Sequence, residues 1–116
     1  MLNRAAVILK YREPAIAWIN GIEPDDQDFV ASPELVNKDR LVYLISEEDA
    51  ADEEALADWI ERNYLNLFET ELEGWYTDQD AWPENLSLGM FYDWFEVECH
   101  SALVDTVGSR IFDDEV

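Results

Sequence analysis

Hydrophobic and polar residues recur along this chain with periods that predict strands and helices. The apolar run AAVIL at residues 5–9 has the composition of a strand buried on both faces, and the run LVYLI at residues 41–45 predicts a second strand. Between the two runs, apolar residues recur at helical spacing after a proline, at Ala15, Trp18, Ile19 and Ile22. This order predicts a β-α-β unit with a right-handed crossover.

A long amphipathic helix is predicted from about Ala50 to Gly74. Its apolar stripe comprises Leu56, Trp59, Ile60, Tyr64, Leu67, Phe68 and Leu72. Ser46 or Asp49 is the expected N-cap, and Gly74 is expected to end the helix.

A third helix is predicted from Leu88 to about Thr106, with Ser87 as its N-cap. Leu86 and Phe91 occupy the two positions of a hydrophobic staple. Shorter features are a solvated acidic loop at residues 23–28, a single helical turn at residues 32–35 and a third strand at residues 109–112.

These elements predict an α+β fold of order β-α-β-α-α. A small sheet of two strands, with the third as an addition, packs against two long helices and one short helix. Residues 1–112 are expected to form a single domain, and residues 113–116 a frayed acidic tail.

The net charge limits the possible partners more than any other feature of the composition. The chain has 28 acidic residues and seven basic ones, which give a formal net charge of −21. Nucleic acids and anionic membranes both attract proteins through Lys and Arg, so neither is an expected partner. The excess is uneven: after Arg40, only Arg62 and Arg110 accompany 21 carboxylates.

A cytoplasmic protein is predicted from the cysteine content and from the N-terminus. Cys99 is the only cysteine, so no internal disulfide forms. The apolar run that follows Arg4 is too short for a secretory signal, and no run approaches the ~20 residues that span a bilayer.

Three stretches of the sequence resemble a family of small acidic bacterial proteins of unassigned function. They are LNRAAVILKYREPAIAWIN at the start, VYLI in the middle and FYDWFEVECHS near the end. The resemblance implies a compact bacterial domain and assigns no role to any residue.

Candidate catalytic and metal-binding groups are few. Cys99 and His100 are adjacent and, in a helix, would point about 100° apart, so they are not expected to form a nucleophile pair. Glu96 and His100 have the spacing of two metal ligands, but an ordinary charge pair on a helix surface is the favoured interpretation, since no second histidine is present to complete a site. No catalytic, cofactor-binding or metal-binding residue is therefore predicted, and no cofactor.

Calcium and phosphate sites are not indicated either. The segment from Asp78 imitates the start of an EF-hand loop, but Pro83 takes the position of the required glycine and Gly89 that of the bidentate glutamate. The four glycines are isolated, so no phosphate-binding loop is present.

The five tryptophans divide into two groups. Trp18, Trp59 and Trp94 are in phase with the apolar stripes of their helices and are expected in the core. Trp75 and Trp82 flank a loop and are the aromatic residues expected to meet a partner.

The acidic surface has three interpretations: a solvated face, adaptation to a salty cytosol, and an interaction surface for a basic protein. We expect a non-enzymatic protein–protein interaction domain that engages a basic partner, with a regulatory role as one form of it. A small carboxylate-dependent enzyme, a weak divalent-cation binder and a nucleic-acid mimic are the alternatives, and the oligomeric state is left open. The candidate surface comprises Glu47, Glu48, Asp49, Asp52, Glu53, Glu54, Asp58, Glu61, Trp75 and Trp82.

Overall fold

The fold is α+β, with a three-stranded antiparallel sheet and four α-helices in the part of the chain that the computed structural model describes, residues 1–22 and 30–113. The strands are β1 (Arg4–Tyr11), β2 (Val42–Ser46) and β3 (Phe95–His100). The helices are α1 (Glu13–Ile22), α2 (Pro33–Val36), α3 (Glu53–Trp75) and α4 (Leu88–Trp94), with 3₁₀ turns at Glu48–Ala50 and Gln79–Ala81. The acidic loop predicted at residues 23–28 lies outside the described residues.

The strand order is β2-β1-β3, and both outer strands run antiparallel to β1. The predicted strand cores at residues 5–9 and 41–45 are confirmed within one residue, but the predicted parallel crossover between them is wrong. The reason is the single turn of helix α2, which adds a change of chain direction between α1 and β2. Ser32 caps this turn as expected, and its Oγ accepts the Leu35 N–H at 3.2 Å.

The helices pack against one face of the sheet, which we call the inner face. Alternate residues of β1 point to it, and Val7 and Leu9 are completely or almost completely buried there. The centre of the core is aromatic: the Phe68 ring lies 5.3 Å from the Trp94 and Phe95 rings and 5.9 Å from Phe91. These are edge-to-face or tilted contacts, the arrangement that aromatic pairs prefer.

Helix α3 extends over nearly the predicted range, but its N-cap differs from the prediction. Asp52 caps it, with its carboxylate accepting the Ala55 N–H at 2.8 Å. Ser46 and Asp49, the expected caps, bond to each other instead, at 2.8 Å between Ser46 Oγ and Asp49 Oδ2. They stabilise the 3₁₀ turn that precedes the helix, and so the helix starts later.

The predicted third helix is the largest error. Its start is confirmed, because the Ser87 Oγ accepts the Met90 N–H at 3.2 Å, but the helix ends at Trp94 and the chain continues as β3. Residues 95–100 alternate between apolar and polar, and pairing with β1 satisfies the hydrogen-bonding groups on that edge of the central strand. Tertiary pairing therefore overrides the helical spacing.

The expected third strand at residues 109–112 is also wrong, because the third strand of the sheet is β3, at Phe95–His100. Residues 101–113 are irregular and contain neither helix nor strand. Among the described helices, none is both long enough and apolar enough to cross a membrane.

Candidate functional site

The predicted acidic surface lies around the start of α3. We call residues 47–61 the acidic segment. Asp49 is half-buried, and all the other carboxylates of the segment are exposed. The Asp49 Oδ1 forms a salt bridge with the Arg62 Nη2 at 3.2 Å. Among the described residues, this is the one salt bridge that involves the segment. The positive end of the helix dipole stabilises this concentration of negative charge.

Three of these carboxylates form a line along the helix. Glu54, Asp58 and Glu61 are exposed and recur at i, i+4 and i+7, so they share one face of α3, about 5 to 6 Å apart along the axis. We call them the acidic stripe. Leu65 lies one turn beyond Glu61 on the same face and exposes 46% of its surface. The stripe therefore leads directly into an exposed apolar side chain.

Helix α4 contributes an exposed aromatic residue beside the stripe. Tyr92 exposes 40% of its surface, while the neighbouring Phe91 is completely buried and holds the Tyr92 ring at 5.7 Å between centroids. Partial burial raises the pKa of Tyr92, and the Glu61 carboxylate raises it further. Glu61 is thus the carboxylate of the acidic stripe whose charge acts on Tyr92.

The two tryptophans expected to meet a partner are held elsewhere by hydrogen bonds. The Trp82 indole donates to the Tyr76 carbonyl at 2.7 Å, and its ring packs partly buried against the core. The Trp75 indole donates to the Tyr11 hydroxyl at 2.9 Å, at the far end of α3 from the acidic segment. The structure therefore does not bring Trp75 and Trp82 together with the predicted carboxylates.

The strand geometry of β3 separates the members of both candidate pairs. Cys99 points to the inner face and His100 to the opposite, outer face. Glu96 shares the outer face with His100 but lies four residues away along the strand, about 13 Å. Burial raises the pKa of the Cys99 thiol, which disfavours the reactive thiolate. His100 lies 3.7 Å from Glu98, its neighbour on the outer face.

Metal ligation has no cluster to support it in the described residues, where no three His, Cys, Asp or Glu side chains converge. Asp78, the first residue of the EF-hand-like segment, instead accepts the Asp80 N–H at 3.0 Å and caps the 3₁₀ turn that follows. Its carboxylate therefore has a local structural role.

A polar cluster that the sequence analysis missed lies under the sheet. Glu71 exposes only 6% of its surface, and its carboxylate accepts hydrogen bonds from two tyrosine hydroxyls. Tyr11 of β1 donates to Oε1 at 2.7 Å, and Tyr43 of β2 donates to Oε2. Three elements, α3, β1 and β2, are thereby joined through one carboxylate.

Burial dominates the electrostatics of this cluster. Burial raises the pKa of the Glu71 carboxyl, and the two tyrosine hydrogen bonds oppose that shift without cancelling it. Burial and the neighbouring carboxylate raise the pKa of both Tyr11 and Tyr43, so both remain neutral donors at physiological pH. The buried carboxyl group is tolerated here because both of its oxygens accept a hydrogen bond.

An open cavity of about 250 Å³ adjoins the cluster, lined by Tyr11, Val36, Asp39, Arg40, Leu41, Glu71, Gly74 and Trp75. Both oxygens of Glu71 are already occupied by hydroxyl donors, and the Arg40 guanidinium is paired with Glu98 at 3.2 Å. The buried carboxylate and the guanidinium beside the cavity thus each have a protein partner. This arrangement is typical of a structural cluster rather than of a catalytic one.

A sequence signal for Glu71 was available. Position 71 is in phase with the buried Phe68 and Leu72 on the apolar stripe of α3, so a carboxylate there requires a buried partner. No comparable signal marks Leu65 and Tyr92, because their exposure depends on how α3 and α4 pack.

Comparison of this chain with models of known protein families, with curated proteins and with solved structures finds no significant match. The likeness to small acidic bacterial proteins therefore stays a prediction.

Proposed function

We propose that this protein is a non-enzymatic interaction module that binds a basic surface of a protein partner through the acidic segment. The observation that supports it best is the continuity of the acidic stripe with exposed Leu65 and Tyr92. A surface that exposes only carboxylates is typical of a solvated face. Carboxylates that border an exposed aromatic and an exposed aliphatic side chain have the composition of a protein interface.

The two kinds of residue have different roles in such an interface. The charges of the acidic stripe attract and orient a basic partner, and this raises the association rate at low ionic strength. Tyr92 and Leu65 then supply apolar contact that persists when salt screens the charges, and tyrosine is a frequent hot-spot residue. The aromatic anchor is thus Tyr92, rather than Trp75 or Trp82.

The partner chemistry follows from the charge. A surface of this sign repels nucleic acid directly. Its targets are lysine- and arginine-rich protein surfaces, including those that themselves bind nucleic acid. The spacing of the acidic stripe makes nucleic-acid mimicry a special case, in which DNA or RNA would compete with this protein for the same partner surface.

The test begins with capture of basic proteins from the native host at low salt, followed by stopped-flow association of each purified partner across a salt series. Reversal of the stripe by Glu54→Lys, Asp58→Lys and Glu61→Lys should lower the association rate constant at least tenfold, because it inverts the steering field. Reversal of Glu34, Glu73 and Glu84 to Lys is the matched control. It changes the net charge equally at exposed positions outside the acidic segment.

The apolar part of the interface is tested separately. Tyr92→Ala and Leu65→Ser should mainly raise the dissociation rate constant, since they remove contacts made after the encounter. Equal effects of the stripe reversal and of the control reversal would show that only net charge matters, and would overturn the proposed surface. Competition by DNA or RNA in the same assay would identify the partner surface as a nucleic-acid site.

A further inference from the structure

The outer face of the sheet carries two exposed apolar residues of β2 that none of the described helices covers. The helices pack on the inner face, and register places Leu44 beside the buried Ala6 and Val42 beside the half-buried Ile8 on the outer one. Val42 and Leu44 are 55% and 54% exposed. An apolar face with one uncovered side is costly in water, and such patches commonly mark interaction sites.

A second uncovered apolar surface is the C-terminal segment, which we define as residues 101–113. Its large apolar side chains are 65–73% exposed: Val104, Val107, Ile111 and Phe112. A hydrogen bond ties the start of the segment to the residues just before β1, where the Leu2 N–H donates to the Leu103 carbonyl at 2.7 Å. The Cα radius of gyration, 15.8 Å, exceeds the ~13 Å of a compact domain of this length. A single copy therefore leaves both surfaces exposed to water.

The two surfaces are complementary in charge as well as in polarity. The outer face holds three basic residues, Arg4, Lys10 and Arg40, against the carboxylates of Glu96 and Glu98. This local excess of basic residues occurs in a chain whose formal net charge is −21. The C-terminal segment carries Asp105 and Asp113 against Arg110, and the sequence continues with Asp114 and Glu115. An apolar face with an excess of basic residues and an apolar segment with an excess of acidic residues favour each other.

The length of the segment allows contact with another molecule. The segment continues for ten residues after Leu103, to Asp113, and these reach up to ~33 Å when extended, whereas three strands are only about 10 Å wide. We propose that two copies of this chain associate by reciprocal exchange, with the C-terminal segment of each copy lying on the outer sheet face of the other. The exchange is symmetric, so each dimer contains two equivalent contacts.

The test measures mass by sedimentation equilibrium over a range of protein concentrations at low salt and at about 0.5 M salt. Dimer should form and should tighten with salt, because screening weakens the repulsion between two strongly acidic copies. The proposed contact with a basic partner weakens with salt, so the failure of one proposal can be told apart from the failure of the other.

Two variants separate the halves of the contact. The face variant Val42→Glu/Leu44→Glu and the segment variant Ile111→Ser/Phe112→Ser should each raise the dimer dissociation constant at least tenfold. Val42→Thr/Leu44→Thr repeats the face test with residues that suit a strand, in case the charged variant fails to fold. Circular dichroism checks that each variant is folded.

Mixing the two variants gives the decisive result. The face variant retains an intact segment and the segment variant retains an intact face, so the mixture should form a heterodimer with one of the two contacts, although neither variant dimerises alone. A monomer at every concentration and salt would overturn the proposal, as would a dimer indifferent to both variants or a mixture without rescue. A segment variant that loses stability without a change in mass would show that the segment docks on its own copy, which also overturns it.

Discussion

Helix α3 contains two populations of carboxylates in opposite environments. At its start, the three carboxylates of the acidic stripe are exposed. Near its end, Glu71 is buried and fixed by Tyr11 and Tyr43. The same functional group is available for a partner in one place and is used for internal structure in the other.

The difference follows from the cost of removing charge from water. An exposed carboxylate keeps its hydration, so a single substitution changes little. A buried carboxylate must replace its hydration by hydrogen bonds within the protein. Removing that carboxylate leaves the groups that donated to it without an acceptor. The same substitution should therefore lower the free energy of unfolding much more at Glu71 than in the acidic stripe.

The largest effect is expected for Glu71→Ala. It leaves the Tyr11 and Tyr43 hydroxyls without their acceptor and opens a cavity, so the free energy of unfolding should fall by about 2–4 kcal/mol. Urea denaturation measures it. Glu73→Ala, exposed on the same helix, is the matched control and should change stability by no more than about 0.5 kcal/mol.

Glu71→Gln sharpens this comparison, because glutamine keeps one acceptor oxygen and nearly the same volume. It should be less destabilising than Glu71→Ala. If Glu71→Ala and Glu73→Ala had equal effects, the cluster would not be a structural link between α3 and the sheet.

The second prediction is a pH dependence of the free energy of unfolding that is caused by Glu71. Burial raises its pKa in the folded state above the ordinary value of 4.5, so the folded protein binds that proton more tightly than the unfolded chain does. The stability of the wild type relative to Glu71→Gln should rise as pH falls from 7 through the raised pKa, and should level off below 4.5. Parallel stability curves for the two proteins, measured by urea denaturation at several pH values, would contradict the assigned shift.

The same comparison shows which parts of the fold can be predicted from sequence. Continuous apolar runs and a long amphipathic stripe depend mainly on local pattern, and β1, β2 and α3 appear where they were expected. The direction of β2 and the pairing of β3 with β1 depend on which edges of β1 are free, and no local pattern encodes that. The alternation from Phe95 to His100 was a readable strand signal, but helical spacing through Trp94 concealed it.

The candidate site divides in a similar way. The acidic segment is predictable because charged residues at a helix start are exposed in most packings. Trp75 and Trp82 were expected at a partner surface, but their indole groups are occupied by Tyr11 and by the Tyr76 carbonyl. Exposure of Tyr92 depends on the packing of α4 against α3, so it becomes visible only in three dimensions.

The smallest effect concerns a carboxylate of the acidic segment that does have a structural role. Asp52 caps α3, and Asp52→Ala should lower the free energy of unfolding by about 1 kcal/mol because the Ala55 N–H loses its acceptor. Removing any acid from this chain also relieves repulsion, and Asp58→Ala, which removes an equal charge without a cap, measures that gain. Asp52→Ser restores a capping oxygen without the charge, so it should recover most of the loss in thermal or urea denaturation. If Asp52→Ser were as unstable as Asp52→Ala, the stabilisation by Asp52 would come from its charge near the positive end of the helix dipole and not from its hydrogen bond. The exposed carboxylates at the start of α3 would then contribute to stability more equally than their hydrogen bonds indicate.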